Sequence, residues 1–149
     1  MADLVVKVDR YYREHIATYV LLNEGTHELL TCLQRKFKLA LVTNNGEAVT
    51  LSILDHFDLK KYFNAIIHLD IMKQPKPDPN AIFLAISELG ISKNSVVYIG
   101  DSPSDLETSL LAKVQFILIR DGSSTFTFPK IPENVKIVSK VKDLLDYCK

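Results

Sequence analysis

The sequence predicts an α/β fold in which helices cover both faces of a parallel sheet. Short apolar runs of strand length alternate with amphipathic stretches of helical period along the 149 residues, and short loops join them. The apolar runs are continuous, which is typical of strands that are buried on both faces. A chain of this length is expected to form one domain.

The predicted elements follow one another in a regular order. Strands are predicted at 38–43, 64–69, 96–99, 115–119 and 135–138, and helices at 3–19, 26–36, 47–57, 79–89, 103–112 and 141–147. An alternative makes residues 4–8 a strand that presents Asp9 as a nucleophile. The helix at 3–19 is favoured because apolar residues continue at helical spacing past Asp9. A strand covered on both faces would also bury Lys7 at a cost.

The composition argues against several classes of function. The 18 basic and 18 acidic side chains give a formal net charge of zero, which does not suggest nucleic acid or an anionic membrane as a partner. No apolar run approaches the roughly 20 residues that a membrane span requires, and the first residues do not resemble a signal peptide. Cys32 and Cys148 lack the spacing of metal ligands, so free thiols in a cytoplasmic protein are expected.

Three polar segments are predicted to meet at one edge of the sheet. Ligands of parallel sheets bind beyond the carboxyl ends of the strands, so Thr43 and Asn44, the loop around Lys76 and the segment 101–105 should converge on one crevice. Thr43 and Asn44 offer a hydroxyl, an amide and backbone N–H groups, which suit an anion. The alternative is that they cap the helix that begins at Glu47.

Three charged side chains of these segments suit a phosphate and a metal ion. Lys76 lies between two prolines that would fix its positive charge against a phosphoryl group, although a solvated loop lysine is the alternative. Asp101 and Asp105 are oxygen donors of the kind that Mg²⁺ prefers. Asp105 also has a structural alternative, because it completes a capping box with Ser102. Asp101 has no such structural duty and is the better candidate for a metal ligand.

Three stretches resemble the second, third and fourth motifs of the haloacid dehalogenase-like (HAD) superfamily, in the right order. They are Leu-Ala-Leu-Val-Thr-Asn at 39–44, Lys-Pro-Asp-Pro at 76–79 and Val-Tyr-Ile-Gly-Asp-Ser-Pro-Ser-Asp at 97–105. The resemblance covers nearly the whole chain and is strongest to the phosphoglycolate-phosphatase-like branch. It implies a Rossmann-like three-layer core and Mg²⁺-dependent hydrolysis of a phosphorylated small molecule through an aspartyl-phosphate.

The resemblance also implies roles for single residues. Thr43 resembles the residue that hydrogen-bonds the transferring phosphoryl group, with Asn44 beside it. Lys76 resembles the lysine that neutralises charge on the nucleophile and the phosphate. Asp101 resembles the magnesium ligand, and Asp105 the second acid of the motif, which supports the metal through water or through its ligands. The implied catalytic residues are therefore Thr43, Asn44 and Lys76, and the implied metal residues are Asp101 and Asp105.

The sequence departs from the family at its start. The family's first motif is a strand that ends in Asp-x-Asp and supplies the nucleophile, and this sequence contains no Asp-x-Asp. Residues 1–19 resemble the last helix of the family's cap. We therefore expect a single core domain, 1–149, that lacks the usual central first strand and most of the cap. A chain without the nucleophile is expected to be inactive as a phosphatase.

The missing strand leaves a position in the sheet to be filled. The family places its first strand between the strands that end here at Thr43 and at Ile99. Backbone groups left unpaired there would each cost about 1–3 kcal/mol if buried. This position could be filled in three ways: the two strands could pair directly, residues 4–8 could insert between them, or another chain could supply a strand, including a second copy in a homo-oligomer.

Other functions remain open on the sequence alone. One is a non-catalytic module that binds phosphate, a metal or a protein, and another is haloacid dehalogenation within the same superfamily. The pair of Asp101 and Asp105 favours phosphate over dehalogenation. A response-regulator receiver domain shares the layered fold, but it needs an acidic pair after its first strand, which this sequence does not have.

Overall fold

The structure is a computed structural model that describes residues 10–11, 14–16, 18, 20–122 and 125–148. The described residues between 10 and 18 are helical, which confirms the predicted first helix at those positions. The rest of that helix, and with it the alternative strand at 4–8 and Asp9, lies outside the described residues. No helix in the described part of the chain is long and apolar enough to cross a membrane.

After this first helix, nine strands and helices and a closing 3₁₀ helix follow in the predicted α/β order within the described residues. The strands are β1 (Ala40–Val42), β2 (Ala65–Ile67), β3 (Val97–Gly100), β4 (Gln115–Ile119) and β5 (Lys136–Val138). The helices are α1 (Thr26–Leu33), α2 (Glu47–His56), α3 (Asn80–Leu89) and α4 (Pro103–Ala112), and the 3₁₀ helix is Val141–Cys148. The predicted bounds differ from these by a few residues at the ends.

The elements form three layers. The helices α3 and α4 contact each other on one side, where α3 packs on β1 and β2 and α4 packs on β3 and β4. On the other side α1 packs against the closing 3₁₀ helix, and a cluster of Leu29, Ile117, Val138 and Leu144 joins them to the sheet. Helix α2 packs through Leu54, which belongs to a separate hydrophobic cluster. The strands therefore lie between two helical layers, as the resemblance implied.

The strands form two separate parallel sheets. One contains β1 and β2, with Leu41 opposite Ile66, and the other has the order β3-β4-β5. Because β1 and β3 do not pair, direct pairing, one of the three ways left open for filling this position, does not occur. Between them lies a cavity of about 710 Å³, lined on its two sides by Ala40–Val42 and Val97–Ile99. We call this cavity the inter-sheet groove.

The burial of the two facing strands differs from the prediction. Both were predicted to be buried, but β1 is half-buried along its length, and Val97 and Ile99 of β3 are 47% and 36% exposed. By contrast β4, which has a strand on each side, buries Ile117 and Leu118 to 5% and 0% exposure. The difference follows from the sheet, since no described strand covers the groove side of β1 or β3.

Cys32 and Cys148 form a disulfide, so the expectation of two free thiols is wrong. Their Cα atoms are 6.0 Å apart and 116 positions separate them in the sequence. The pair arises because α1 packs along the 3₁₀ helix Val141–Cys148. A contact between residues so distant in sequence depends on tertiary packing, and sequence spacing does not show it.

Reduction of this disulfide is expected to lower the free energy of unfolding by about 2–4 kcal/mol, because the bond closes a long loop in the unfolded chain. Urea unfolding with and without dithiothreitol measures the effect. The Cys32→Ser variant should match the reduced wild type and should not respond to dithiothreitol. A wild type whose urea midpoint is unchanged by reduction contradicts the prediction.

Candidate active site

The three polar segments predicted to converge do lie together. Asn44 and the backbone of Lys76 exchange two hydrogen bonds, from Lys76 N to Asn44 Oδ1 at 2.8 Å and from Asn44 Nδ2 to Lys76 O at 3.2 Å. The Lys76 ammonium then reaches Asp105 at 2.6 Å. This chain of contacts joins the carboxyl ends of β1 and β3 across the mouth of the inter-sheet groove.

Lys76 is not a solvated loop lysine. Its side chain is only 12% exposed. Besides Asp105, its Nζ lies 3.3 Å from Tyr98 Oη and 3.4 Å from the carbonyl oxygen of Val42 at the end of β1. The ammonium is thus held in one place by groups from both sheets. Its predicted contact with a phosphoryl group remains a prediction.

Asp105 is a fully engaged buried carboxylate. Its Oδ1 accepts hydrogen bonds from Lys76 and Tyr98, both at 2.6 Å. Its Oδ2 accepts from Asp101 N at 3.2 Å and from Ser102 N and Oγ at 3.2 and 2.7 Å. Burial alone would raise the pKa of Asp105, but the Lys76 charge and these hydrogen bonds outweigh it and hold the pKa below its usual value.

The predicted capping box of α4 is therefore present, with Ser102 and Asp105 each bonded to the other's backbone N–H. Because both oxygens of Asp105 already accept hydrogen bonds, this side chain is placed to position Lys76 and the turn at Asp101. Its proposed part in metal binding remains a prediction.

Asp101 has the more open carboxylate. It is exposed toward a cavity of about 590 Å³, which is also lined by Asn23, Asp121, Lys140 and Lys142. Partial burial, followed by the negative charge of Asp105, raises the pKa of Asp101. A cation beside Asp101 would relieve this unfavourable charge. The described residues contain no group of three or more His, Cys, Asp or Glu side chains arranged around a metal, so Asp101 is at most part of a ligand set.

Thr43 and Asn44 do not cap α2, so the capping alternative is wrong. The Thr43 hydroxyl accepts a hydrogen bond from Asn45 N at 3.1 Å, which shapes the turn that follows β1. At the N-terminus of α2, the backbone N–H of Glu47 instead donates a hydrogen bond to Asp70 Oδ2, at 2.6 Å. Thr43 thus lies at the groove end of β1, and its predicted contact with a phosphoryl group remains a prediction.

The sequence reasoning missed Tyr98. Its phenol donates to Asp105 and lies beside Lys76, while its ring packs near Phe116. Burial, followed by the charge of Asp105, raises the pKa of Tyr98, so the phenol stays a donor at neutral pH. One signal was available: residues 98 and 100 share a face of the strand, and that face leads to the start of α4.

Comparisons with known proteins agree with these observations. Residues 2–119 match the family described as haloacid dehalogenase-like hydrolase. A phosphoglycolate phosphatase of Pseudomonas savastanoi pv. phaseolicola is 34% identical over 113 residues, which are 75% of this chain and 41% of that protein. The chain therefore spans less than half the length of this relative.

Two solved structures share the fold. CbbY of Rhodobacter sphaeroides, solved in complex with phosphate, superposes with a TM-score of 0.81 at 19% identity, over 93% of this chain and 63% of that one. YfnB of Bacillus subtilis, solved bound to magnesium, gives a TM-score of 0.79 at 22% identity, over 99% of this chain and 62% of that one. At such identities the likeness concerns the fold alone.

Proposed function

This chain belongs to the haloacid dehalogenase-like hydrolase family, and on that premise we propose that it is the core of a Mg²⁺-dependent phosphatase of small phosphorylated molecules. The observation that carries the proposal is the buried pair of Lys76 and Asp105, which lies beside the open carboxylate of Asp101. A fixed cation next to a site for a metal is the arrangement that phosphoryl transfer needs.

In this proposal each candidate residue has a stated part. Lys76 supplies positive charge to the phosphate, and Asp105 with Tyr98 keeps its ammonium at the groove mouth. Thr43 and Asn44 offer hydrogen-bond donors at the end of β1. These roles rest on position at the carboxyl edge of the sheet and on the family motifs.

Asp101 is the residue that would hold Mg²⁺. Partial burial and the negative charge of Asp105 raise the pKa of Asp101, so a cation beside it would stabilise its charged form. Carboxylate oxygens are the ligands that Mg²⁺ takes. Bound there, the ion would polarise an oxygen of the phosphoryl group. Asp105 would act on this site through the backbone N–H of Asp101, to which it is bonded.

We also propose that this polypeptide alone does not hydrolyse phosphate esters. Aspartyl-phosphate formation needs a carboxylate nucleophile opposite Lys76, and the sequence has no Asp-x-Asp to supply it. The chain by itself would bind phosphate and Mg²⁺ without turnover. This is the non-catalytic form of the same site. The proposed location is the cytoplasm, where the disulfide of Cys32 and Cys148 would be kept reduced.

Titration calorimetry with MgCl₂ and inorganic phosphate, together with a p-nitrophenyl phosphate assay, tests this proposal. We expect the wild type to bind Mg²⁺ and phosphate and to show no turnover. The Asp101→Asn variant should lose Mg²⁺ binding, because it removes the charge of the carboxylate that would hold the ion.

Asp58→Asn is the matched control, since it makes the same change at an exposed acid that pairs with Lys61 on the surface. It should leave Mg²⁺ binding unaltered. Absence of both Mg²⁺ and phosphate binding in the wild type would exclude the proposed site. Turnover that depends on Asp101 would refute the inactive form and direct attention to Asp9 as nucleophile.

A further inference from the structure

The closing 3₁₀ helix, Val141–Cys148, lies alongside α1 and approaches it closely at both ends. Where α1 begins, a Cβ placed on Gly25 would lie 3.3 Å from Lys142 Cβ. Where α1 ends, Cys32 is bonded to Cys148, with their Cα atoms 6.0 Å apart. The two helices therefore run in the same direction, and the disulfide joins them at the end that is far from the start of the closing helix.

The closing helix has little stability of its own. It has eight residues, whereas 3₁₀ helices longer than about four residues are uncommon because their hydrogen bonds are poorly aligned. Leu144 is its one fully buried side chain, and Val141, Leu145 and Cys148 are partly buried around it. The position of the helix must therefore come from tertiary contacts, among which the disulfide is covalent.

Helix α1 is anchored independently of the disulfide. On its other face, the phenol oxygen of Tyr62 lies 3.0 Å from His27 Nδ1 and accepts a hydrogen bond from Thr31 Oγ1 at 3.3 Å. Leu30 packs against the cluster that contains Leu54 and Tyr62. Breaking the disulfide would therefore release the closing helix, whereas α1 would stay in place.

The start of the closing helix forms one wall of the cavity that contains Asp101. Lys140, Val141 and Lys142 line this wall, and both lysines are exposed. Lys140 belongs to the first turn of the helix, because its backbone N–H donates a hydrogen bond to Asp143 Oδ2 at 2.8 Å. The cavity therefore contains two positive charges whose position depends on the closing helix.

We propose that Cys32 and Cys148 are a reversible redox switch that fixes the closing helix when they are oxidised and releases it when they are reduced. Oxidation would hold the two lysines at the cavity of Asp101, and reduction would let them move away. The switch would thereby change the affinity of the cavity for an anion such as phosphate. This last effect rests on the proposed function, whereas the release of the helix does not depend on it.

The redox step requires a small-molecule disulfide, such as oxidised glutathione, which can reach the two half-buried cysteines. One cysteine thiolate attacks a sulfur of that disulfide, forms a mixed disulfide and releases one small thiol. The second thiolate attacks the protein's sulfur in the mixed disulfide, which forms the bond between Cys32 and Cys148 and releases the second small thiol. The protein loses two electrons, the small molecule gains two, and the two thiol protons end on the released thiols.

The first test is a redox titration of the full chain in mixtures of reduced and oxidised glutathione. Free thiols are trapped with N-ethylmaleimide and counted by mass spectrometry. We expect one reversible transition between two free thiols and none. Thiols that stay free in excess oxidised glutathione, or that end in mixed or intermolecular disulfides, overturn the inference. A disulfide that resists excess reduced glutathione is structural and overturns it as well.

The second test compares the oxidised and reduced proteins by hydrogen exchange and mass spectrometry, at labelling times too short for α4 to exchange. We expect reduction to speed exchange in 141–148 by about tenfold or more, because this segment loses its covalent contact. The Cys148→Ser variant should show the reduced pattern whatever the glutathione mixture. Labelling that rises equally along the chain would show general destabilisation and overturns the inference, as does labelling that does not change.

Titration calorimetry with inorganic phosphate measures the effect on the cavity. We expect the reduced protein to bind phosphate about threefold more weakly than the oxidised one, because two positive charges leave the cavity. Lys142→Met should weaken phosphate binding to the oxidised protein and reduce the difference between the two forms. Lys93→Met is the matched control, since Lys93 is exposed and lines neither cavity, and it should behave as the wild type.

Faster exchange in 141–148 on reduction, together with a redox-dependent phosphate affinity that Lys142→Met diminishes, supports the inference. Equal phosphate affinity of the two forms overturns it. A wild type that binds no phosphate in either form would refute the proposed phosphate site, and hydrogen exchange alone would then decide whether the switch exists.

Discussion

Replacing Lys76 with Met is expected to lower the free energy of unfolding at pH 7 by about 3–5 kcal/mol, because it leaves a buried carboxylate without its partner. Asp105 is even less accessible than the lysine, at 6% against 12% side-chain exposure. The Met side chain keeps most of the lysine's apolar length, so the change isolates the charge. Urea unfolding of the two proteins measures the difference.

The pH dependence of this variant gives the sharper result. In the wild type the pKa of Asp105 lies below its value in the unfolded chain, which is about 3.9. The contribution of the ionised Asp105 to stability is therefore complete at pH values above the unfolded pKa. It is lost as the pH falls through the lower pKa of the folded protein. Without Lys76, burial should raise the pKa of Asp105 above that value. The free energy of unfolding of the variant then rises as the pH falls from 7 toward 4, and its difference from that of the wild type becomes smaller.

Lys73→Met is the control for this experiment, since Lys73 is an exposed lysine in the same loop. It should change stability little at any pH. Adding Asp105→Asn to Lys76→Met should restore part of the loss, because the stranded charge is removed. A Lys76→Met protein as stable as the wild type at pH 7 would show that the pair contributes nothing to the fold.

Gly100→Ala is expected to cost about 3 kcal/mol or more, because overpacking and disruption of the buried ion pair act together. A Cβ at Gly100 would lie 2.5 Å from Asp105 Cβ and 2.6 Å from its Cγ, which no bond rotation of the alanine can relieve. The carboxylate would have to move away from Lys76 and Tyr98. Stability and Mg²⁺ binding should therefore fall together, as measured by urea unfolding and calorimetry.

Gly46→Ala is the matched control for crowding. Its Cβ would lie 3.4 Å from Asp70 Oδ2, an ordinary contact, and its backbone φ of −67° suits alanine. We expect a small effect on stability and none on Mg²⁺ binding. If Gly100→Ala were as mild as this control, the close approach of β3 to Asp105 would not be what places the carboxylate.

Much of the site could be predicted because it depends on short-range order and on one rule about sheets. Apolar runs and helix starts set the sequence of strands and helices, and parallel strands bring their carboxyl ends to one edge. The convergence of Asn44, Lys76 and Asp105 follows from that rule. The capping box of Ser102 and Asp105 lies within four residues and was readable for the same reason.

Other features depend on contacts between distant residues. The hydrogen bond of Tyr98 to Asp105 and the cap that Asp70 provides to α2 require the packed elements to be in place. The disulfide likewise joins Cys32 and Cys148, 116 positions apart, which only the packing of α1 against the closing 3₁₀ helix brings together.

The sequence by itself determined the order of the elements, the family and the residues that meet at the carboxyl edge, because these follow from periodicity and local motifs. Only the tertiary structure decided that β1 and β3 stay apart and half-exposed across an apolar groove. The physical reason is that the burial of a strand depends on its neighbours in the sheet. The composition of β3 is that of a buried strand, yet one side of it has no described neighbour to bury it.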